Sequence, residues 1–312
     1  MDSMTRRGAF VFFAFAVLAG PVRGFTSSGF YGAVHFQQLA GGALSGIVAG
    51  VALLMLGFVL RQKRLCGRQW LALLVLLLPQ WAMVPLTAPY VRAIPALHET
   101  RWGLAFMLTL AAPLWLALLS ALEWVEIQVP RAVVGAAIAG IGAAYLIIPV
   151  DAYSVSFNQA PVLLVEVFLN IAIVFTWVYA APRLAGAGML IVAGCFLLMS
   201  AVGNVGLALV FERGAWQPLD WREVWTPLLM EATVVACSCW LWLWLLQRMP
   251  LAAFGMRALA AFTASLLPGF VFGGFAEWRI DAAVVIALAA IVVALRARVA
   301  EEQPIALGLR DS

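Results

Sequence analysis

Residues able to do chemistry are scarce in this chain, and several of them sit among apolar neighbours. Glu166 and Glu231 each lie inside a long hydrophobic run, as do the amides Asn170 and Asn204 and the basic residue Arg257. A charge at the centre of a bilayer costs about 2.5–3.5 kcal/mol on insertion scales, so each such group needs a compensating role. Asn170 is four residues from Glu166 and shares its helix face. Glu166, Asn170, Asn204 and Glu231 are therefore expected to line one outer cavity. Two carboxylates sharing a low-dielectric cavity disfavour double ionisation, so one can hold a proton near neutral pH, as a proton-coupled carrier requires. The competing reading makes both glutamates interfacial acids that snorkel to water or pair with Arg213 or Arg222. Arg257 reads either as a substrate contact or as a tie to helix-end carbonyls.

Aromatic residues divide by depth. Trp81, Trp115 and Trp177 lie deep in their runs and are candidate substrate contacts. Trp240, Trp242 and Trp244 crowd the end of another run and read as interfacial anchors. Other chemistries lack their residues. The four cysteines, Cys66, Cys195, Cys237 and Cys239, show no zinc or disulfide spacing. His35 and His98 find no third ligand to make a metal or haem site. No phosphate-binding glycine loop, serine-protease set or zinc motif is present. No catalytic residue, metal or cofactor is expected, and the chain is not read as an enzyme.

The elements that must position these groups follow from composition. Of 312 residues, 65% are hydrophobic and 11% charged, with a mean hydropathy of +1.01. Soluble domains carry roughly 25% charged residues, and no water-soluble core hides this much apolar surface. A spanning helix needs about 20 apolar residues. Ten runs meet or approach that length, at 8–24, 38–60, 69–91, 100–122, 131–150, 161–182, 184–211, 224–247, 250–274 and 280–296. None alternates as a membrane-barrel strand does. The expectation is an all-α integral membrane protein of about ten helices. The opening residues, with Arg6 and Arg7 ahead of an apolar stretch, resemble a signal peptide. Pro21 and the membrane character of all that follows favour an uncleaved first helix instead.

Basic residues set the expected orientation. With the N-terminus in the cytoplasm, the inside collects Arg6, Arg7, Arg61, Lys63, Arg64, Arg68, Arg131, Arg183, Arg248, Arg296, Arg298 and Arg310. The outside collects Arg23, Arg92, Arg101, Arg213, Arg222 and Arg279, so the bias is twelve to six. Both termini are then cytoplasmic. The formal charge of +4 is not gathered into a stripe, so nucleic acid is not an expected partner. The expected partners are lipid and a small-molecule substrate, with the protein monomeric or homodimeric and other membrane chains as the alternative.

The halves of the chain resemble each other. Arg92, Pro95, Arg101, Pro113, Glu123 and Trp124 are spaced 3, 6, 12, 10 and 1 apart. Arg248, Pro250, Arg257, Pro268, Glu277 and Trp278 are spaced 2, 7, 11, 9 and 1 apart. Each Glu-Trp precedes a small-residue helix with an Ala-Val-Val step, at 132–134 and 283–285. In the first copy Ala132, Ala136, Gly140 and Ala144 recur every four residues, a smooth stripe on which a neighbouring helix can pack closely. Two copies of five helices, an odd number, must point oppositely across the membrane, the inverted-repeat plan of many carriers. The expected units are residues 1–155, 156–300 and a cytoplasmic tail, 301–312.

With Pro113-Leu114-Trp115, Leu122-Glu123-Trp124 and the Gly/Ala helix 134–142, the chain resembles the EamA-like branch of the drug/metabolite transporter superfamily. Specific motifs cover about a quarter of the chain, and the first two helices, including Arg23–Gln38, depart from the family pattern. The resemblance implies a ten-helix secondary transporter working by alternating access. The reading is an exporter of a small metabolite across the bacterial inner membrane. The alternative is a non-catalytic subunit or scaffold of a larger membrane complex.

Overall fold

The structure, a computed structural model, describes residues 3–34, 38–93, 107–147, 160–212, 221–272 and 278–296, and no strand occurs among them. The expectations for His35, Pro95, His98, Arg101, Arg213, Glu277 and the tail fall outside the described residues. Twelve α-helices are labelled here: α1 Ser3–Val17, α2 Arg23–Val34, α3 Gln38–Val59, α4 Gly67–Ala93, α5 Ala112–Ala121, α6 Arg131–Ile147, α7 Ala160–Leu184, α8 Met189–Phe211, α9 Trp221–Arg248, α10 Leu251–Gly255, α11 Arg257–Phe272 and α12 Trp278–Arg296. Among the described residues, seven helical stretches are long and apolar enough to span a bilayer. Three shorter apolar helices, Ala112–Ala121, Arg131–Ile147 and Arg257–Leu267, accompany them.

The bundle is apolar outside and carries polar groups inside. Phe10, Met55, Phe168 and Val202 are each more than 60% exposed, while Thr26, Ser45, Glu166, Asn170, Glu231, Ser238 and Thr263 are buried. Water would not tolerate that surface, but lipid, as apolar as the side chains, does not penalise it. This is a multi-pass helical membrane protein.

The first span departs from its expected form. The residues after Arg23 were expected to leave the membrane as a connection, yet the helix continues to Val34. The passage runs through a π-helical turn, Leu18–Val22, that contains Pro21. Proline has no N–H to donate and its ring crowds the carbonyl one turn back, and a widened turn accommodates both without ending the helix. Thr26 and Ser27 thereby enter the bundle as helical residues, and Ser28 stays exposed.

The central pair is α3 against α8, which run antiparallel. A side chain at Gly50 would meet the Gly194 carbonyl at 3.0 Å, and one at Gly194 would meet the Gly50 carbonyl at 2.9 Å, while Gly46 faces Ala201 and Gly57 faces Ile191. The absent side chains are what let the two backbones touch. Each helix caps the other's start. Gln62, just past the end of α3, accepts the Leu190 N–H through Oε1 at 2.9 Å. Glu212, just past the end of α8, accepts the Leu39 and Ala40 N–H groups at 2.9 and 3.0 Å. These amides have no intrahelical partner, so both caps remove unsatisfied donors.

Around this pair, α4 packs on α7, α9 packs on the first span and on α3, and α11 packs on α1. A second close pair is α6 with α12. On α6 the buried positions include Ala136, Gly140 and Ala144 of the expected stripe, with Ala132 exposed. On α12 they are Ala283, Val284, Ala287, Ala290 and Ala294, whereas Gly140 of α6 makes room for Leu259 of α11. The Glu123-Trp124 step closes α5. Glu123 adopts φ 59°, and the Trp124 N–H reaches back to the Leu119 carbonyl at 3.0 Å, the wrapped end that helices commonly form.

Candidate functional site

Glu231 is 2% exposed, ten residues into α9 and one turn beyond Pro227. Its carboxylate accepts the Thr26 hydroxyl at 2.7 Å through Oε2 and the Ser27 hydroxyl at 3.1 Å through Oε1. The partners come from α2, neither from an arginine nor from Glu166. Two neutral hydroxyls hold this carboxylate, and among the described residues no cation pairs with it. Thr26 and Ser27 escaped the sequence reading because the first apolar run stops at residue 24 and leaves them in the connection that follows. The signal that could have found them is the run Thr26-Ser27-Ser28 within three residues of an apolar helix.

Glu166, also 2% exposed, lies on α7. Asn170 shares its face as expected, but the Asn170 amide donates to the Glu166 backbone carbonyl at 2.9 Å. Asn204 is half-buried on α8, beside Gly203. Gly203 is the seat of Trp81: a Cβ there would overlap the indole, with Nε1 and Cε2 the nearest atoms. The Trp81 indole N–H is buried and has no hydrogen-bond partner among the described residues. A buried donor of this kind is a place where a ligand oxygen or a water is accommodated. Trp115 is satisfied instead, donating to the Leu108 carbonyl at 3.0 Å.

A second cluster forms where α7, α9 and the α10–α11 corner meet. Trp177 and Phe254 are buried and stand edge to face, 5.2 Å between centroids at 89°. Trp242 packs on Phe254 at 5.9 Å and on Phe196 at 5.5 Å. The Arg257 guanidinium lies 4.1 Å from the Trp177 ring and 4.4 Å from the Phe254 ring. Trp240, Trp242 and Trp244 are all half-buried against the main core. The exposed tryptophans that mark helix ends are Trp70, Trp124, Trp221 and Trp278. Thus Trp177 and Arg257 come together, Thr26, Ser27 and Glu231 come together, and Trp81 joins Asn204's neighbourhood on α8.

No family model matches this chain, and no curated protein does. A solved structure, described only as a crystal structure of a protein, matches with a TM-score of 0.68 and 17% identity. The match covers 94% of this chain and 97% of that one. At this identity the likeness shows the fold alone, and it extends over nearly the whole of both chains.

Proposed function

We propose that the chain is a secondary carrier of a small metabolite, built as two five-helix halves of opposite orientation, in the manner of EamA-like transporters. The three shorter helices complete ten spans in this reading, with the first span matching α7, α3 matching α8, α4 matching α9, α5 matching α11 and α6 matching α12. The observation that carries it is the pair of reciprocal caps. Adding 150 to Gln62 and Ala40 gives Glu212 and Leu190, so the contact Gln62–Leu190 maps onto Glu212–Ala40. A single helix pair capped alike at both ends is what a two-fold axis in the membrane plane generates. The packing pattern follows the same exchange: α4 on α7 corresponds to α9 on the first span, α4 on α8 to α9 on α3, and α5 on α7 to α11 on α1. α3–α8 and α6–α12 map onto themselves.

Symmetry of this kind serves alternating access, since the two halves can exchange conformations to open a midplane site to either side. In this reading Glu231, Thr26 and Ser27 with Trp81 form the polar lining, and export is from the cytoplasm. The test is a retention assay in liposomes loaded with a complex mixture of small metabolites and analysed by mass spectrometry. Liposomes containing the protein should lose a discrete set of solutes that empty liposomes keep. Uniform retention, with the protein always purifying alongside other membrane chains, would overturn the carrier in favour of a complex subunit.

A further inference from the structure

We infer that Arg257 is an anion-binding site, so that the solute handled by this carrier bears a carboxylate or phosphate; this rests on the carrier reading for its role in transport, but not for its chemistry. The guanidinium is half-buried at the start of α11 and stands in the angle between two perpendicular rings, 4.1 Å from Trp177 and 4.4 Å from Phe254. Those aromatic faces supply cation–π attraction and hold the side chain in one place. They do not neutralise it. Its protein hydrogen bond is a long one, Nη1 to the Phe254 carbonyl at 3.4 Å, and at that length it is weak. Guanidinium offers five N–H donors in a planar fork that matches carboxylate and phosphate. No described acidic residue forms an ion pair with it.

An apolar bundle holding a positioned cation with spare donors is short of one negative charge. The corner is also built rather than casual. Trp177 and Phe254 are 2% and 0% exposed. Gly255 lets the α10–α11 corner press on Pro113 of α5, where a side chain would meet the proline ring at 3.1 Å. Rings locked in this way prevent the arginine from swinging to the lipid headgroups without loss of its contacts. The surrounding indole and phenyl edges favour an anion attached to an apolar body.

The experiment uses the full chain in nanodiscs of neutral phosphatidylcholine. Thermal unfolding is followed while benzoate, pyruvate or inorganic phosphate is added, because a ligand of the folded state raises the midpoint. The expected result is a saturable rise with at least one of these anions. Arg257→Gln should weaken the apparent affinity at least about tenfold, as expected for loss of a charge-assisted bond. Arg257→Lys, which keeps the charge but not the fork, should fall between. Each variant is first shown to be monodisperse with an unfolding transition of its own. A parallel set containing phosphatidylglycerol distinguishes the source. A rise from anionic lipid alone, abolished by Arg257→Gln, upholds the anion site and identifies a headgroup as its occupant. No rise with any anion, or a rise that Arg257→Gln leaves unchanged, overturns the inference. Anion binding without solute loss from liposomes would instead remove the carrier reading and leave the site standing.

Discussion

Glu231 owes its place in the bundle to two hydroxyls, and the energetics of that arrangement are asymmetric. Removing the donors while keeping the carboxylate leaves a buried acceptor without partners, which costs about 1–3 kcal/mol and more for a charged group. Removing the charge while keeping the hydroxyls is gentler, because an amide still accepts and donates there. The double variant Thr26→Val/Ser27→Ala should therefore unfold at lower temperature than Glu231→Gln, in the same detergent. Adding Glu231→Leu to the double variant should recover part of the loss. A double variant as stable as the parent would mean that these hydroxyls do not support the carboxylate. Gly203 makes a steric claim of the same grain. Gly203→Ala places a Cβ inside the Trp81 indole and should destabilise by about 1–3 kcal/mol, as overpacking does. Trp81→Leu combined with Gly203→Ala should be less damaged than the sum of the single variants, since the clash goes with the ring.

At the scale of elements, the α3–α8 pair joins two devices, close backbone contact at glycine and mutual capping of helix starts. Capping side chains are each worth about 0.5–2 kcal/mol. Gln62→Ala and Glu212→Ala should each lower the unfolding midpoint. Because the two caps sit at opposite ends of the same helices, their effects should add within about 0.5 kcal/mol. Strong non-additivity would show that the ends communicate. The α5 terminus shows how a motif read as a family signature has a local physical cause. Glu123 takes the left-handed conformation in which Trp124 can reach back to Leu119, and Trp124 is then left exposed at a helix end, where an indole suits the membrane interface. Trp278, from the second Glu-Trp step, is exposed as the first residue of α12.

At the scale of the molecule, orientation rests on exposed basic side chains. Arg61, Lys63 and Arg64 are exposed in the turn between α3 and α4 and Arg68 at the start of α4, and Cys66 stands exposed among them as a free thiol. A membrane-impermeant maleimide should label Cys66 in inside-out vesicles and not in right-side-out spheroplasts, with Cys66→Ser as the blank. Labelling from outside would reverse the proposed topology, because that turn carries the densest positive charge of the chain. Loop 185–188 should report the same side as Cys66, since Gly188 packs against Gln62. A cysteine placed at Trp221, beyond Glu212, should report the other side.

Composition by itself decided that lipid is the solvent, because no arrangement of this many apolar side chains is stable in water. Run length decided most of the helices, and scarcity singled out Glu166, Glu231 and Arg257, since a charge in an apolar run is visible without any structure. Helix spacing likewise foretold that Asn170 would share a face with Glu166 and that Ala136, Gly140 and Ala144 would pack inward. What the tertiary structure alone decided is which of these groups meet. Whether Pro21 ends a helix or merely widens one turn depends on what packs beside it, so Thr26 and Ser27 became partners of Glu231 only in the folded bundle. Arg257 needed Trp177, eighty residues away in the chain, to become a positioned cation. Gln62 and Glu212 became caps only when α3 and α8 lay antiparallel. Periodicity reports the face a residue occupies on its own helix, whereas contacts between helices depend on crossings that no local pattern encodes.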